Sequence, residues 1–360
     1  MSKRVAVFIL VIQLLGVCTC RCLAVSTSAT SAILVDAESG RVLYEQNADA
    51  KMRIASTTKI MTALVAIRKG DPSDMVTVSR EAAYTEGSSM YLKVGEKLTL
   101  EELLYGLLLS SGNDAAVAIA EHIAGSVQSF AEMMNETAKE LGMTQSSFAN
   151  PNGLDAPDHY STARDMARLA CAAMKDPTLV RIASSRSVTI GGRTMTNHNK
   201  LLRMMEGCIG LKTGYTRAAG RTLVSCAVRN GQRLVAVTLQ DGNDWVDHQT
   251  LLEYGFSAYP ARRIVERGTV YEKRAVEGGT LPSVSLVTAK SFSYPLREGE
   301  EVETAVELSA PLKAPVAAGG LAGEVVFTVD GREVGRVGLF FGETIAPEVS
   351  SALKVLKMTA

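Results

Sequence analysis

The stretch Ala55-Ser56-Thr57-Thr58-Lys59-Ile60-Met61-Thr62-Ala63-Leu64 sets a serine three residues before a lysine, at the point where the apolar pattern becomes helical. Ile60, Leu64 and Ala66 recur at helical spacing, so a helix is predicted from Ser56 to about Ala66, with Ser56 or Thr57 capping its start. Residues three apart share a helix face, which brings the Lys59 amine within hydrogen-bonding reach of the Ser56 hydroxyl. A serine hydroxyl is a poor nucleophile until a neighbour takes its proton. A lysine can do so only when burial or a nearby cation lowers its pKa. The helix start adds backbone N–H groups and the positive end of a dipole, both suited to an oxyanion.

Further along, Ser111-Gly112-Asn113 falls in the break between helices predicted over 98–109 and 114–124, where a hydroxyl and a carboxamide project together from a loop. Lys212-Thr213-Gly214 follows Ile209-Gly210-Leu211 and precedes a turn through Tyr215 to Gly220, so it reads as an edge strand lining a cleft. Lys212 is then the candidate second cation acting on Lys59. With Thr213 it suits an anionic terminus, here a peptide carboxylate, while Gly214 leaves room for substrate backbone. Alone, each motif has an ordinary reading as a solvated helix start, a helix cap or a solvated strand end.

The rest of the chain gives these motifs a scaffold. A hairpin is predicted from Ser31–Asp36 and Arg41–Tyr44 around Glu38-Ser39-Gly40. Helices are predicted over 98–109, 114–124, 127–141 and 162–174, with Asn150-Pro151-Asn152-Gly153 as a turn among them. Strands over 209–212, 221–229 and 233–239, the last two joined by Asn230-Gly231, complete a sheet, and a helix over 246–254 closes the domain near Ala261. Beyond that, short Val-, Thr- and Leu-rich strands and a turn at Asp330-Gly331 read as a separate all-β domain.

Lys and Arg together number 38, as do Asp and Glu, which argues against a polyanion-binding surface and a nucleic-acid partner. The 46% hydrophobic content is that of a globular chain with a sizeable core. Lys3 and Arg4, the apolar run Val5–Val17 and the small-residue site Cys22-Leu23-Ala24 read as a signal peptide over 1–24, since the run falls short of the ~20 residues of a spanning helix. Lipid modification of Cys18 is disfavoured by Val17 before it. The expected location is therefore extracytoplasmic, in the cell envelope, secreted or membrane-associated. Without the leader only Cys171, Cys208 and Cys226 remain. Cys208 and Cys226 flank a strand-turn-strand and are a candidate disulfide, the alternative being that all three are small buried apolar residues. His122, His159, His198 and His248 lack ligand spacing, so no metal or cofactor is expected and each reads as a surface or packing residue.

The three motifs, in this order, match the serine-lysine set of penicillin-binding proteins. Together with Ser110-Ser111-Gly112-Asn113-Asp114-Ala115, Asn150-Pro151-Asn152-Gly153-Leu154 and Leu211-Lys212-Thr213-Gly214-Tyr215-Thr216, nearly the whole mature chain resembles the low-molecular-mass D-alanyl-D-alanine carboxypeptidases, the S11 serine peptidase family. The resemblance implies an α/β (α+β) domain of the serine β-lactamase/transpeptidase type over 25–261, with an antiparallel sheet and a helical cluster. A small β-rich C-terminal domain over 262–345 follows. The tail over 346–360, read from its own residues, is a candidate short amphipathic helix offering peripheral membrane contact, the alternative being a frayed terminus, and it is short beside the anchor expected of membrane-attached members. The resemblance also implies Ser56 as the acylated nucleophile, Lys59 as general base, Ser111 as proton relay and Asn113 as substrate-amide anchor. Lys212 and Thr213 become carboxylate and electrostatic contacts, and the N–H groups of Ser56 and Tyr215 the oxyanion hole. The implied reaction removes the terminal D-alanine from peptidoglycan pentapeptide stems, with β-lactams as covalent inhibitors. Where some relatives carry an arginine near the substrate carboxylate, this sequence reads Asp241-Gly242-Asn243-Asp244-Trp245. A β-lactamase of the same fold needs a glutamate-held water, and the middle segment has no Glu-x-x-Leu-Asn. A non-catalytic peptidoglycan-binding or scaffold protein has no need of intact Ser56, Lys59, Ser111 and Lys212.

Overall fold

The computed structural model describes residues 25–348. The signal peptide read over 1–24 and most of the tail read over 346–360 lie outside the described residues. The chain enters through a hairpin of β1 (Ser31–Asp36) and β2 (Val42–Gln46), and a 3-10 turn, Ala55–Thr58, leads into α1 (Lys59–Lys69). A small hairpin of β3 (Met75–Thr77) and β4 (Lys97–Thr99) brackets the short α2 (Arg80–Ala83). The helical cluster then runs through α3 (Leu100–Leu109), α4 (Asn113–Ala124), α5 (Val127–Glu140), α6 (Ala163–Ala173) and α7 (Pro177–Ser184). A second small hairpin, β5 (Ser187–Ile190) and β6 (Arg193–Thr196), and α8 (Leu201–Met204) lead to β7 (Cys208–Thr216), β8 (Gly220–Arg229), β9 (Gln232–Leu239) and α9 (Asp244–Ala258).

The main sheet is antiparallel, in the order β2-β1-β9-β8-β7, so the first strands of the chain pair with its later ones and β7 is left at an edge. All six residues of β1 are buried because helices cover both faces. Ile33 and Val35 join the core beneath the helical cluster, while Leu34 joins Leu234, Ala236, Leu251 and Leu252 beneath α9, the alternation that strand geometry imposes. Helix starts are fixed locally: Thr99 and Glu102 form a reciprocal capping box at α3, and Asp176 caps α7 with Pro177 in its first turn. The sequence reading assigned nothing to α7, although that cap and proline were its signal.

Two expectations are corrected here. Neither Ser56 nor Thr57 caps a helix: Ser56 lies inside the 3-10 turn, and the Thr57 and Thr58 hydroxyls donate to the carbonyls of Ile54 and Ala55 instead of accepting from amides. The cysteine pair does not form either; Cys171, Cys208 and Cys226 are free. The β7–β8 register sets Gly210 opposite Cys226, and past a bulge Cys208 stands opposite Ala227, so the two thiols do not face each other across the ladder.

The later strands are β10 (Ala261–Val265), β11 (Val270–Ala275), β12 (Ser283–Thr288), β13 (Phe292–Pro295), β14 (Glu303–Leu308), β15 (Leu321–Val329) and β16 (Arg332–Phe341). β10 pairs with β13, and the others form a sheet in the order β11-β12-β16-β15-β14 around a separate core that includes Val284, Leu286, Phe327 and Leu339. Arg41 of the first unit ties the two together: it bonds the Pro295 carbonyl, pairs with Glu300 and lies over the rings of Tyr259 and Tyr294. Among the described residues, no helix is long and apolar enough to cross a membrane.

His248 of α9 is wholly buried against the sheet, with Nδ1 on the Ser225 hydroxyl and Nε2 on that of Thr238, and burial pushes its pKa down to about 3. The unfolded chain takes up this proton near the ordinary histidine value of ~6.5, whereas the native protein refuses it until about 3, so stability falls as pH drops through that window. Below pH ~6 the one-proton slope approaches about 1.4 kcal/mol per unit. His248→Gln is expected to flatten the dependence of urea stability on pH between 6 and 4 by that slope. An unaltered dependence would show that this imidazole is not held neutral.

Candidate active site

The site is built around the amine of Lys59, which is buried because α1 runs through the middle of the helical cluster, its residues 59–66 all inaccessible. Nζ makes three contacts: Ser56 Oγ at 2.9 Å, Asn113 Oδ1 at 2.7 Å and the Asn152 carbonyl at 2.6 Å. The Asn113 amide is not free to flip, since its Nδ2 donates to the Glu86 carbonyl at 2.7 Å. Both partners other than Ser56 are therefore pure acceptors and consume two N–H bonds. When the amine is neutral its lone pair falls to Ser56, whose hydroxyl proton then points at it. Burial first, and the charge of Lys212 second, hold Lys59 well below the ordinary lysine pKa, with Asp114 opposing them.

Lys212 is almost as buried, donates to the Thr213 carbonyl at 2.8 Å, and is lowered by burial to about 7. It lies with Thr213 and Gly214 on β7, the sheet edge, and Tyr215 beyond them is 68% exposed. A Cβ on Gly214 would stand 3.0 Å from Ser56 N and 3.1 Å from Thr57 N, so this strand abuts the Ser56 turn through bare backbone.

Ser111 sits just past α3 with φ of +59°, buried between the two helices. The loop after it is strapped down: Gly112 N donates to the Gly106 carbonyl, Asn113 N to that of Ser88, and the buried Asp114 carboxylate accepts from Met90 N, Leu92 N and Ser89 Oγ. The Asn113 carboxamide bridges Lys59, through Oδ1, and the Glu86 carbonyl, through Nδ2, and keeps a second N–H and a second lone pair beyond these bonds.

Several residues were not foreseen. Asn152 contributes through its carbonyl, which leaves no side-chain signal. His159, read as a surface or packing histidine, is buried with Nε2 2.7 Å from Thr58 Oγ1 and its pKa lowered to about 4, burial being the main cause. Arg221 stands opposite Tyr215 in the β7–β8 ladder, pairs with Asp244 and lies over Trp245. A cation thus does border the motif strand, supplied by the neighbouring strand and not by 241–245. The hairpin register carried that information.

The chain that carries this arrangement is similar to known proteins over most of its length. The family model described as D-alanyl-D-alanine carboxypeptidase matches residues 20–243, and that of the penicillin-binding protein 5 C-terminal domain matches residues 259–347. The chain belongs to the D-alanyl-D-alanine carboxypeptidase family. It is 35% identical to D-alanyl-D-alanine carboxypeptidase DacF of Bacillus subtilis, covering 84% of this chain and 82% of that one, and 35% identical to DacC of Escherichia coli, covering 89% and 85%. Among solved structures, penicillin binding protein 5 from Haemophilus influenzae superposes with a TM-score of 0.75 at 32% identity, covering 89% of this chain and 98% of that one. In this carboxypeptidase the matched regions span both the helical-sheet unit and the late β strands, so the fold expected from the sequence, α+β followed by all-β, is the one observed.

Proposed function

We propose that this serine-type D-Ala-D-Ala carboxypeptidase acts through Ser56 as nucleophile and Lys59 as general base. The observation that carries the assignment is the set of three contacts on Lys59 Nζ, which leaves a neutral amine one direction for its lone pair, toward Ser56 Oγ. Lys59 takes the Ser56 proton as Oγ attacks the carbonyl of the penultimate D-alanine of a peptidoglycan stem. The oxyanion is received by the N–H groups of Ser56 and Tyr215. Ser111 passes the proton to the departing terminal D-alanine, whose carboxylate meets Lys212 and Thr213, while Gly214 gives its backbone room. Asn113 holds Lys59 and borders the substrate amide. Water then releases the acyl group from Ser56. β-Lactams, cyclic amides presented to the same serine, are proposed to acylate it.

The substrate lies outside the cytoplasm, and the leader read over 1–24 supplies the route of export. Residues 25–261 are proposed as the catalytic unit and 262–345 as the second domain, a division supported by their separate cores. The test is release of D-alanine from a muropeptide pentapeptide by wild type and by Ser56→Ala. Loss of release in Ser56→Ala supports the assignment, and equal release by both proteins sinks it.

A further inference from the structure

The oxyanion donor proposed above, the N–H of Ser56, belongs to the same peptide unit as the carbonyl of Ala55. In a trans peptide the two bonds point in opposite directions, so whatever grips the oxygen aims the N–H. That carbonyl is held by a buried chain of hydrogen bonds from a distant part of the sequence. The Ala149 amide donates to His159 Nδ1 at 3.0 Å, which places the ring proton of the neutral imidazole on Nε2. Nε2–H lies 2.7 Å from Thr58 Oγ1 and donates to it. The Thr58 hydroxyl proton is thereby directed onward, and it donates to the Ala55 carbonyl at 2.8 Å. The two links nearest the turn are dry: Thr58 and Ala55 are inaccessible and His159 is 2% exposed. Phe148 packs against the imidazole in a T-shaped pair, with ring centroids 5.9 Å apart, and restricts its plane.

Ala55 needs such a grip. Its φ is +45°, a conformation that an L-residue adopts only under constraint, and it immediately precedes the nucleophile. The other side of the same peptide unit faces β7, where a Cβ on Gly214 would come within 3.0 Å of Ser56 N. The strained turn is therefore held at its oxygen by Thr58 and His159 and presents its nitrogen toward the edge strand.

We propose that His159 and Thr58 are positioning residues for the oxyanion hole: the ordered chain Ala149 N–H to His159 to Thr58 to the Ala55 carbonyl aims the Ser56 N–H and strengthens it as a donor. The strengthening follows because a carbonyl that accepts a hydrogen bond polarises the N–H of its own peptide unit, and aligned bonds in a dry interior reinforce one another. The inference rests on the assignment of Ser56 as nucleophile.

The experiment uses the full chain with a chromogenic penicillin, the pentapeptide substrate, and infrared spectra of the acyl-enzyme formed with a carbonyl-13C penicillin. The ester carbonyl stretch reports the strength of the oxyanion-hole bonds, which a merely structural residue leaves untouched. Loss of an oxyanion donor outright costs roughly 10²–10³ in rate, so its misalignment in Thr58→Val is expected to lower acylation and kcat by roughly 10–100-fold. KM should stay nearly unchanged and the carbonyl stretch should move to higher frequency. Thr58→Ser should restore both rate and frequency, and His159→Phe, which leaves the Thr58 hydroxyl undirected, should shift both in the direction of Thr58→Val by a smaller amount. A folded Thr58→Val with the wild-type rate and carbonyl frequency overturns the proposal. If Thr58→Val does not fold, His159→Phe decides by the same two readouts. Uptake of the penicillin by Ser56→Ala would instead refute the nucleophile assignment, leaving the two failures distinguishable.

Discussion

Lys59→Arg is expected to lower the acylation of Ser56 by roughly 10³-fold or more, the upper part of the range that a positioned general base supplies. Arginine keeps a positive charge at the same place and offers more N–H donors than lysine, so a site that required only charge or only hydrogen bonds to Asn113 and Asn152 would tolerate it. A site that requires a lone pair does not, because guanidinium is not deprotonated in proteins. Lys59→Met removes the base and the charge together and should fall as far. The pH profile sharpens the test. Burial and Lys212 keep the Lys59 pKa well below its ordinary value, so acylation in the wild type should rise with pH as Lys59 loses its proton and level off above that depressed pKa. In Lys59→Arg that limb should vanish with the rate. Lys212→Met, which removes the second cation, should move the limb to higher pH. Acylation by a chromogenic penicillin across pH reads all three proteins, and a Lys59→Arg enzyme within tenfold of wild type refutes lysine as the base.

The parts of this site that were legible in the sequence are those in which a side chain carries its own chemistry and a local pattern fixes its place. Ser56 and Lys59 are three apart before an apolar helical run, and Lys212 follows an apolar strand, so their types and their elements could be read together. The first turn could not. That Ser56 lies in a 3-10 turn after an alanine with φ of +45° depends on what surrounds it, since nothing in Ala55 itself favours that conformation. Contacts far apart in the chain were equally silent: Thr58 meets His159 across 101 residues, and Lys59 meets the Asn152 carbonyl across 93. A histidine without ligand spacing gives no sign of a threonine behind Ser56. The proposed cysteine pair failed for a related reason: the β7–β8 register sets Gly210, not Cys208, opposite Cys226, and that register is fixed by the whole ladder and its turn and not by the cysteines themselves.

Gly153→Ala is expected to show how tightly that non-local packing sets Ser56, the proposed nucleophile. Gly153 has φ of +87°, held by its amide on Asn150 Oδ1 at 2.7 Å, and its neighbour Asn152 supplies the carbonyl to Lys59. A Cβ there would lie 2.0 Å from the Ala55 carbonyl oxygen, 2.5 Å from its carbon and 2.9 Å from Thr58 Oγ1. No rotamer relieves a clash with backbone, so either the turn over 150–153 or the turn over 55–58 must shift. A shift of the first withdraws an acceptor from Lys59, and a shift of the second turns the Ser56 N–H. The expected cost is about 3 kcal/mol of stability, from the left-handed backbone together with overpacking. Acylation should fall by roughly 10²-fold, the effect of displacing a reacting group by about 1 Å. Gly125→Ala is the control: its φ is +76° but a Cβ there meets nothing within 4 Å, so it should lose only about 1–2 kcal/mol and acylate normally. Thermal unfolding and penicillin acylation of the two variants separate backbone strain from site geometry. A Gly153→Ala enzyme acylated at the wild-type rate would mean that the 150–153 turn merely covers the nucleophile, whereas the contacts at Ala55 and Lys59 require that it hold it in place.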